Sequence, residues 1–341
     1  MKRKNIVTIG GGTGSFMLLS GLKNYPVNIS AIVSMADDGG STGVLRDELG
    51  VLPPGDVRQC LIALSNSSDI MRQLMSYRFG GNRLKGHSFG NLLLSALEKI
   101  KGNFVDGVEE AAKILQVKGE VIPVTEDQMR LVIKLKNGRM LKGEAHLDHS
   151  KEMRRVGVAD IYLESKVGAN RRAVGRIKKA DLIIIGPGDY YGSTLPNLLV
   201  KEISDAVRKS RAKVIYVCNL TNKKGQTDGF SLERYISEIE KFIGCDRINF
   251  VVFNGKKPRR DFIKRYESQE GKGAVVEFKD RKRSRRYRVI VADLLSSIQG
   301  ERKDTSVNVH TLIRHDSDKL ARVIMTIAEW EDGRSLIREI L

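Results

Sequence analysis

The sequence predicts a doubly wound α/β fold: a mostly parallel, Rossmann-like three-layer sheet with a small β-rich insertion. Three observations predict it. Short apolar runs of strand length recur along the chain, and most end in glycine or a small polar residue. Amphipathic helical patterns follow them. Strands that alternate with helices in this way build parallel sheets from βαβ units. The expected organisation is one α/β unit over 1–341, with the insertion at 120–164.

Residues 5–9 read as a buried strand, with glycines at 10–12 and 14 behind it. Phe16, Leu18, Leu19 and Leu22 then recur at helical spacing. A second apolar run at 29–33 leads to Asp37-Asp38-Gly39-Gly40, completing a strand–loop–helix–strand unit. From 56 to 118 the pattern is helical throughout, with apolar stripes at 61–64, 71–75 and 92–97. The insertion begins where the period changes. Val121, Leu131-Val132-Ile133, Leu135 and Met140-Leu141 alternate around Asn137-Gly138, a strong short-range hairpin signal. Strands resume at 181–185, 213–217 and 248–252, and they run into Gly186-Pro187-Gly188, Cys218-Asn219 and Asn254-Gly255. Helical patterns follow at 194–209, 229–243 and 259–267, and a strand near 287–291 and a helix near 317–329 close the series.

Composition excludes several classes. Apolar residues at 41% and charged residues at 29% are ordinary for a globular protein. No apolar run reaches the roughly 18 residues of a membrane span. Met1-Lys2-Arg3-Lys4 is basic, but the apolar stretch behind it is too short for a signal peptide and lacks a cleavage site. Cys60, Cys218 and Cys245 are odd in number and widely spaced, which argues against a disulfide framework or a zinc site and fits a reducing cytoplasm. The net charge of +18 is uneven: residues 1–150 hold 19 basic and 15 acidic side chains, the remainder 40 and 26. Most of the excess lies at 151–179 and at 256–288, including Arg281-Lys282-Arg283-Ser284-Arg285-Arg286. Such a bias serves nucleic acid, anionic ligands or acidic lipid, or it is a solvated basic face. No nucleic-acid module accompanies it, and no aromatic stacking platform interrupts the runs, so nucleic acid is not the expected partner.

Open α/β sheets bind ligands at the carboxyl ends of their strands, and the polar residues gather there. Gly10-Gly11-Gly12-Thr13-Gly14-Ser15 opens the first helix. Such a turn lets backbone N–H groups approach an anion at a helix N-terminus. It nearly matches the dinucleotide fingerprint, with Ser15 in place of the third glycine, and it is not a Walker loop. Asp37-Asp38 before Gly39-Gly40-Ser41-Thr42-Gly43 suits a ribose hydroxyl, a hard cation such as Mg²⁺ beside a diphosphate, or a plain turn. Arg46 is available for a phosphate, or for a salt bridge to Asp47 or Asp56. Asp56, after Pro53-Pro54-Gly55, is either a helix N-cap or a carboxylate facing Asp37 and Asp38. Gly86-His87-Ser88-Phe89-Gly90-Asn91 opens another helix, with Ser88 as a candidate cap and His87 as a candidate base. Gly188, with Ser193 and Thr194 behind it, forms a second glycine turn, and Asn219 to Thr227 a third polar strand end. Several such ends on one edge favour a nucleotide-sized site. No nucleophile elbow, His-Glu-x-x-His or kinase set is present.

The order of these motifs resembles a known family. Gly-Gly-Gly-Thr-Gly at 10–14, Asp37-Asp38-Gly39-Gly40-Ser41-Thr42-Gly43, Pro53-Pro54-Gly55-Asp56-Val57-Arg58, Gly86-His87 with Gly90-Asn91-Leu92, Gly186-Pro187-Gly188, Cys218-Asn219 and Arg314-His315-Asp316 are similar to the YvcK-type gluconeogenesis factors. These are a branch of the superfamily of CofD, the 2-phospho-L-lactate transferase. The resemblance implies a cytoplasmic bacterial regulator of cell shape during growth on gluconeogenic carbon, binding a UDP-sugar such as UDP-N-acetylglucosamine. The alternative it implies is a transferase that moves phospholactate from a guanosine diphosphate carrier onto a deazaflavin with Mg²⁺. Carried over by motif, the expected nucleotide-binding residues are Gly11, Gly12, Thr13, Gly14, Ser15, Asp37, Asp38, Ser41, Arg46, Asn91, Gly188, Ser193, Asn219, Thr221, Tyr266 and Arg314. Asp37, Asp38 and Asp56 would hold a metal if the transferase chemistry is present. A homo-oligomer and a regulatory protein partner are further expectations. Two stretches depart from the family pattern, Asp189-Tyr190-Tyr191-Gly192 after the second glycine turn and Asn222-Lys223-Lys224-Gly225-Gln226 after Asn219. Two readings stand outside the resemblance: an NAD-linked oxidoreductase, from the near-fingerprint and the acid after the second strand, and nucleic-acid binding through the basic half.

Overall fold

Seven parallel strands form the central sheet of the computed structural model, which describes residues 3–81, 84–279, 286–297 and 313–330. The first two are β1 (Asn5–Gly10) and β2 (Asn28–Val33), with helix α1 (Gly12–Leu22) between them. Five helices follow β2: α2 (Gly40–Leu49), α3 (Gly55–Leu64), α4 (Asp69–Ser76), α5 (Phe89–Lys101) and α6 (Phe104–Ile114). The helical pattern over 56–118 is thus four helices, α3 to α6, with breaks between them. β3 (Glu120–Pro123) pairs in parallel with β2, Ala31 opposite Val121.

The residues next in sequence leave the main sheet. β4 (Leu131–Leu135), β5 (Met140–Lys142) and β6 (Val158–Leu163) make an antiparallel sheet in the order β5-β4-β6, with short helices α7 (His146–His149) and α8 (Lys151–Val156) before β6. The expected hairpin forms at Asn137-Gly138, where Gly138 has φ +86° and reverses the chain. The antiparallel sheet is narrower than the 120–164 expected for the insertion. The short run at 120–123 is the edge of the main sheet, since its buried residues cover β2.

The main sheet then continues outward. α9 (Arg171–Lys178) leads to β7 (Leu182–Ile185), and a π-helical turn (Tyr190–Thr194) runs into α10 (Leu195–Leu199) and α11 (Lys201–Lys209). β8 (Lys213–Val217), α12 (Leu232–Ile243), β9 (Phe250–Asn254), α13 (Arg260–Glu270), β10 (Arg288–Ala292) and α14 (Ser317–Glu329) complete the described elements. Every residue of β7 is buried. Side chains alternate faces along a strand, so both faces of the sheet are covered. Helix α1 packs with α3 and α14 as one group, and α9 to α12 pack on one another as the other. Among the described residues no helix is long and apolar enough to cross a membrane. Most of the basic run from Arg281 lies outside the described residues. Arg286 at its end pairs with Asp246 and Glu240.

The strand order is β10-β9-β8-β7-β1-β2-β3. It runs one way from β1 to β3 and the other way from β7 to β10. The reversal lies between β1 and β7, which are neighbours with Ile9 opposite Ile185. At such a switch point the loops from two adjacent strands diverge and leave a crevice at the carboxyl edge.

Candidate functional site

A cleft of about 540 Å³ opens at this crevice. Gly12, Thr13 and Gly14 come to it from the end of β1, and Gly188 and Ser193 from the end of β7. Asn219 and Thr221 follow β8, Tyr266 comes from α13, and Arg314 precedes α14. These nine residues are brought together as a lining. Gly11, Ser15, Asp37, Asp38, Asp56, Ser41, Arg46 and Asn91 lie outside it.

The two glycine turns are built against each other. A Cβ on Gly14 would collide with the carbonyl of Pro187, and one on Gly11 would collide with the Asp56 carboxylate. The side chain missing at Gly14 is what lets the β1 and β7 loops close, and the one missing at Gly11 makes room for Asp56 of α3. Asn219 fixes the third loop to the second, its amide donating to the Gly188 carbonyl at 2.7 Å. Gly11 is the N-cap of α1 and supplies no side chain to the first helical turn. Backbone N–H groups and the positive end of the helix dipole are therefore presented beside Thr13.

Beneath this loop lies a buried acidic pair. The Ser193 hydroxyl donates to Asp56 Oδ2 at 3.0 Å. Asp56 sits in the first turn of α3, and Pro54 is the N-cap, so capping is not its role. Burial pushes its carboxyl up to about 7, with the Asp37 charge adding to the rise and the bonds from Ser193 and Gly12 opposing it. Asp37 is likewise raised by burial, against bonds from the Gly39 N–H and the Thr42 hydroxyl. Asp38 turns elsewhere: its Oδ1 accepts from the Ala145 N–H at 2.7 Å, and Oδ2 stands 3.6 Å from Arg46. The three aspartates therefore do not converge, and no group of three or more His, Cys, Asp or Glu forms a metal-holding cluster among the described residues. Arg46 pairs with Asp38 and Asp47 rather than facing the cleft.

Ser41, His87 and Asn91 form a separate network. The Ser41 hydroxyl meets His87 Nδ1 at 2.9 Å, the Asn91 amide donates to Ser41 at 3.3 Å, and buried Arg58 donates to Asn91 Oδ1 at 2.8 Å. Ser88 caps α5 by accepting the Asn91 N–H, as its position predicts.

The cleft also gathers residues outside the expected set, beside the expected Thr221, Tyr266 and Arg314. Glu144, from the loop after β5, reaches the cleft beside Gly192, where a Cβ would strike its carboxylate. Burial, then Asp37 and Asp189, push Glu144 up to about 9, so it is protonated at neutral pH. Asp189 is buried, which alone would raise it, but its ion pair with Lys223 outweighs that and holds it below the usual carboxylate range. Lys223 also reaches Asp148 at 3.1 Å. Gln226, Gln269 and Glu270 line the same side. His315 is buried at the cleft, with its imidazole held down to about 4 by burial, and its Nε2 has no hydrogen-bond partner among the described residues. Thr221 bonds the Tyr266 hydroxyl, with Arg314 close enough to act on that phenol electrostatically. His315 carried a signal in the Arg314-His315-Asp316 motif. Glu144 carried none, because an isolated acid in the loop after a short strand does not announce a partner some fifty residues away.

The comparisons with known proteins agree with the fold. The family described as "2-phospho-L-lactate transferase CofD" matches residues 6–295. A gluconeogenesis factor of Halalkalibacterium halodurans is 41% identical over 281 residues, covering 81% of this chain and 85% of its own. The gluconeogenesis factor of Bacillus subtilis is 34% identical over 328 residues, covering 96% and 98%. A crystal structure of a UPF0052-family protein from Bacillus halodurans superposes with a TM-score of 0.86 at 34% identity, covering 95% of this chain and 99% of that one. On the strength of this agreement across nearly its whole length, the chain belongs to the CofD-like gluconeogenesis factor family.

Proposed function

We propose that this protein is a regulatory binder of a nucleotide diphosphate sugar, with a UDP-sugar as ligand, and that it supports cell shape during growth on gluconeogenic carbon. One observation carries the reading: the cleft lining joins two chemically different sets of groups. The turn at 12–14 and Gly188 present backbone and a helix N-terminus, which suit a diphosphate. Glu144, Asp148, Gln226, Gln269 and Glu270 add carboxyl and amide groups to the lining, which suit the hydroxyls of a sugar. The cleft volume falls within the range of small-molecule sites.

A second reading, transfer of a phospho-group as in CofD, is favoured by Asp37 and Asp56. Mg²⁺ needs only one or two carboxylates when phosphates and water complete its shell, and these two buried acids, near enough for the Asp37 charge to raise Asp56, fit that role. Bound there, the ion would offset the charge that develops on a diphosphate donor as its phosphate bridge breaks and a nucleoside monophosphate leaves. Asp38 does not fit, since the insertion and Arg46 occupy it.

Isothermal titration of UDP-N-acetylglucosamine and of GDP, each with and without Mg²⁺, separates the readings. Binding of the UDP-sugar that is indifferent to Mg²⁺ and unchanged by Asp56→Asn supports the regulator. Mg²⁺-dependent binding of GDP, lost in Asp56→Asn, supports the transferase. Binding of neither overturns both.

A further inference from the structure

The carboxyl edge of the sheet absorbs the family motifs, but the larger cavity lies at the other end. A pocket of about 760 Å³ opens at the amino ends of β1, β2 and β3. It lies the length of a strand from the cleft, roughly 20 Å at 3.3 Å per residue. In open α/β sheets this edge is not where ligands are expected, so its lining needs its own account.

That lining is cationic. Arg3, Lys23, Lys118 and Lys179 stand around the pocket, and none has a carboxylate partner among the described residues. The Lys23 ammonium donates to the Ser65 carbonyl at 2.8 Å, and Lys118 reaches the Lys23 carbonyl at 3.5 Å, so both bonds go to neutral acceptors. Burial lowers the Lys23 ammonium from its ordinary value, and repulsion from Arg72 and Lys118 lowers it further. The one acid in the lining is Glu120. Its carboxylate is already committed to the Ser30 hydroxyl at 2.6 Å and to Arg172 and Arg176 at 2.5 Å.

Attraction to helix C-termini accounts for part of this pattern. Lys23 and Lys179 are the C-cap residues of α1 and α9. Arg3 and Lys118 are not explained that way, since each lies in the segment leading into a strand, β1 and β3. Four uncompensated cations converging from four chain segments on one cavity raise the local potential, and a multivalent anion relieves it.

We propose that this pocket is a second ligand site, for a small polyanion carrying two or more phosphate groups, separate from the nucleotide cleft. Several cations spread around one cavity match a charge of several units better than a single carboxylate would. An inorganic polyphosphate and the phosphate chain of an organic molecule share this chemistry.

The test titrates inorganic triphosphate into the full chain by calorimetry, against sulfate at equal ionic strength. Lys118 and Lys179 are exposed, so Lys118→Glu with Lys179→Glu should leave the fold intact, which a thermal melt checks. The expected result is a triphosphate binding event that sulfate does not mimic, weakened at least tenfold in that double variant and retained in Arg314→Ala. Arg3→Glu alone should weaken the same event if the double variant fails to fold. Adenosine tetraphosphate in place of triphosphate tells the two ligand sources apart by which binds tighter, and either preference supports the site. The proposal is overturned if no event occurs, if sulfate reproduces it, if it survives both charge reversals, or if Arg314→Ala abolishes it.

Discussion

Gly14 has no room for a side chain, because the Pro187 carbonyl lies where a Cβ would go. Gly14→Ala is therefore expected to force the two glycine turns apart, cost roughly 1–3 kcal/mol as an overpacked contact, and abolish the nucleotide-induced thermal shift; an unchanged melt and an unchanged shift would show that the turns are not closed on each other. Glu144 makes a pH prediction. Its folded value of about 9 lies above the ordinary 4.5, so the folded state holds its proton more tightly than the unfolded chain does. The stability this gives is fully present below about pH 4.5 and is lost as pH rises toward 9. Melting curves of wild type and Glu144→Gln should thus diverge between pH 5 and 9 in favour of the variant, and parallel curves would remove Glu144 from the buried acidic wall. At this scale the glycine turns, Ser88 and Arg314 were legible, since local backbone demands and motif order mark them. Glu144 and the different fates of Asp37, Asp38 and Asp56 were not, because which carboxylate meets which loop is decided by contacts distant in sequence.

Elements were legible where their period was strong. β7 reads as a continuous apolar run because both of its faces are covered, and Ile184 at its centre is fully buried. Ile184→Ala is expected to cost roughly 2–5 kcal/mol, read as a lower denaturant midpoint with an unchanged slope. The boundary of the insertion was less legible. Glu120–Pro123 is too short to show a period of its own, and only pairing with β2 identifies it as sheet edge. The link between the loop after β8 and the π-helical turn was also hidden. Lys223 reaches Asp189 across it, with Asp148 of the insertion on its other side. Lys223→Met leaves the Asp189 carboxylate without its cation and should lower stability by roughly 1–3 kcal/mol. The loss should shrink on acidification as Asp189 protonates; a loss independent of pH would assign Lys223 a packing role instead.

Across the whole molecule, the parallel sheet with reversed strand order places the ends of β1 and β7 side by side, and that topology turns two weak glycine motifs into one cleft. The sequence showed the alternation of strands and helices, but not which two strands flank the reversal. The same sheet leaves a cationic cavity at its amino edge, in a chain whose net charge is +18. The central claim is that a nucleotide diphosphate sugar binds at the switch point. Its most direct test is a crystal structure of the full chain with UDP-N-acetylglucosamine. The account predicts the diphosphate over the backbone of 12–14 and Gly188, with the sugar toward Glu144 and Gln226. Density for the ligand at the amino edge, or none at a concentration that saturates binding in solution, would contradict it.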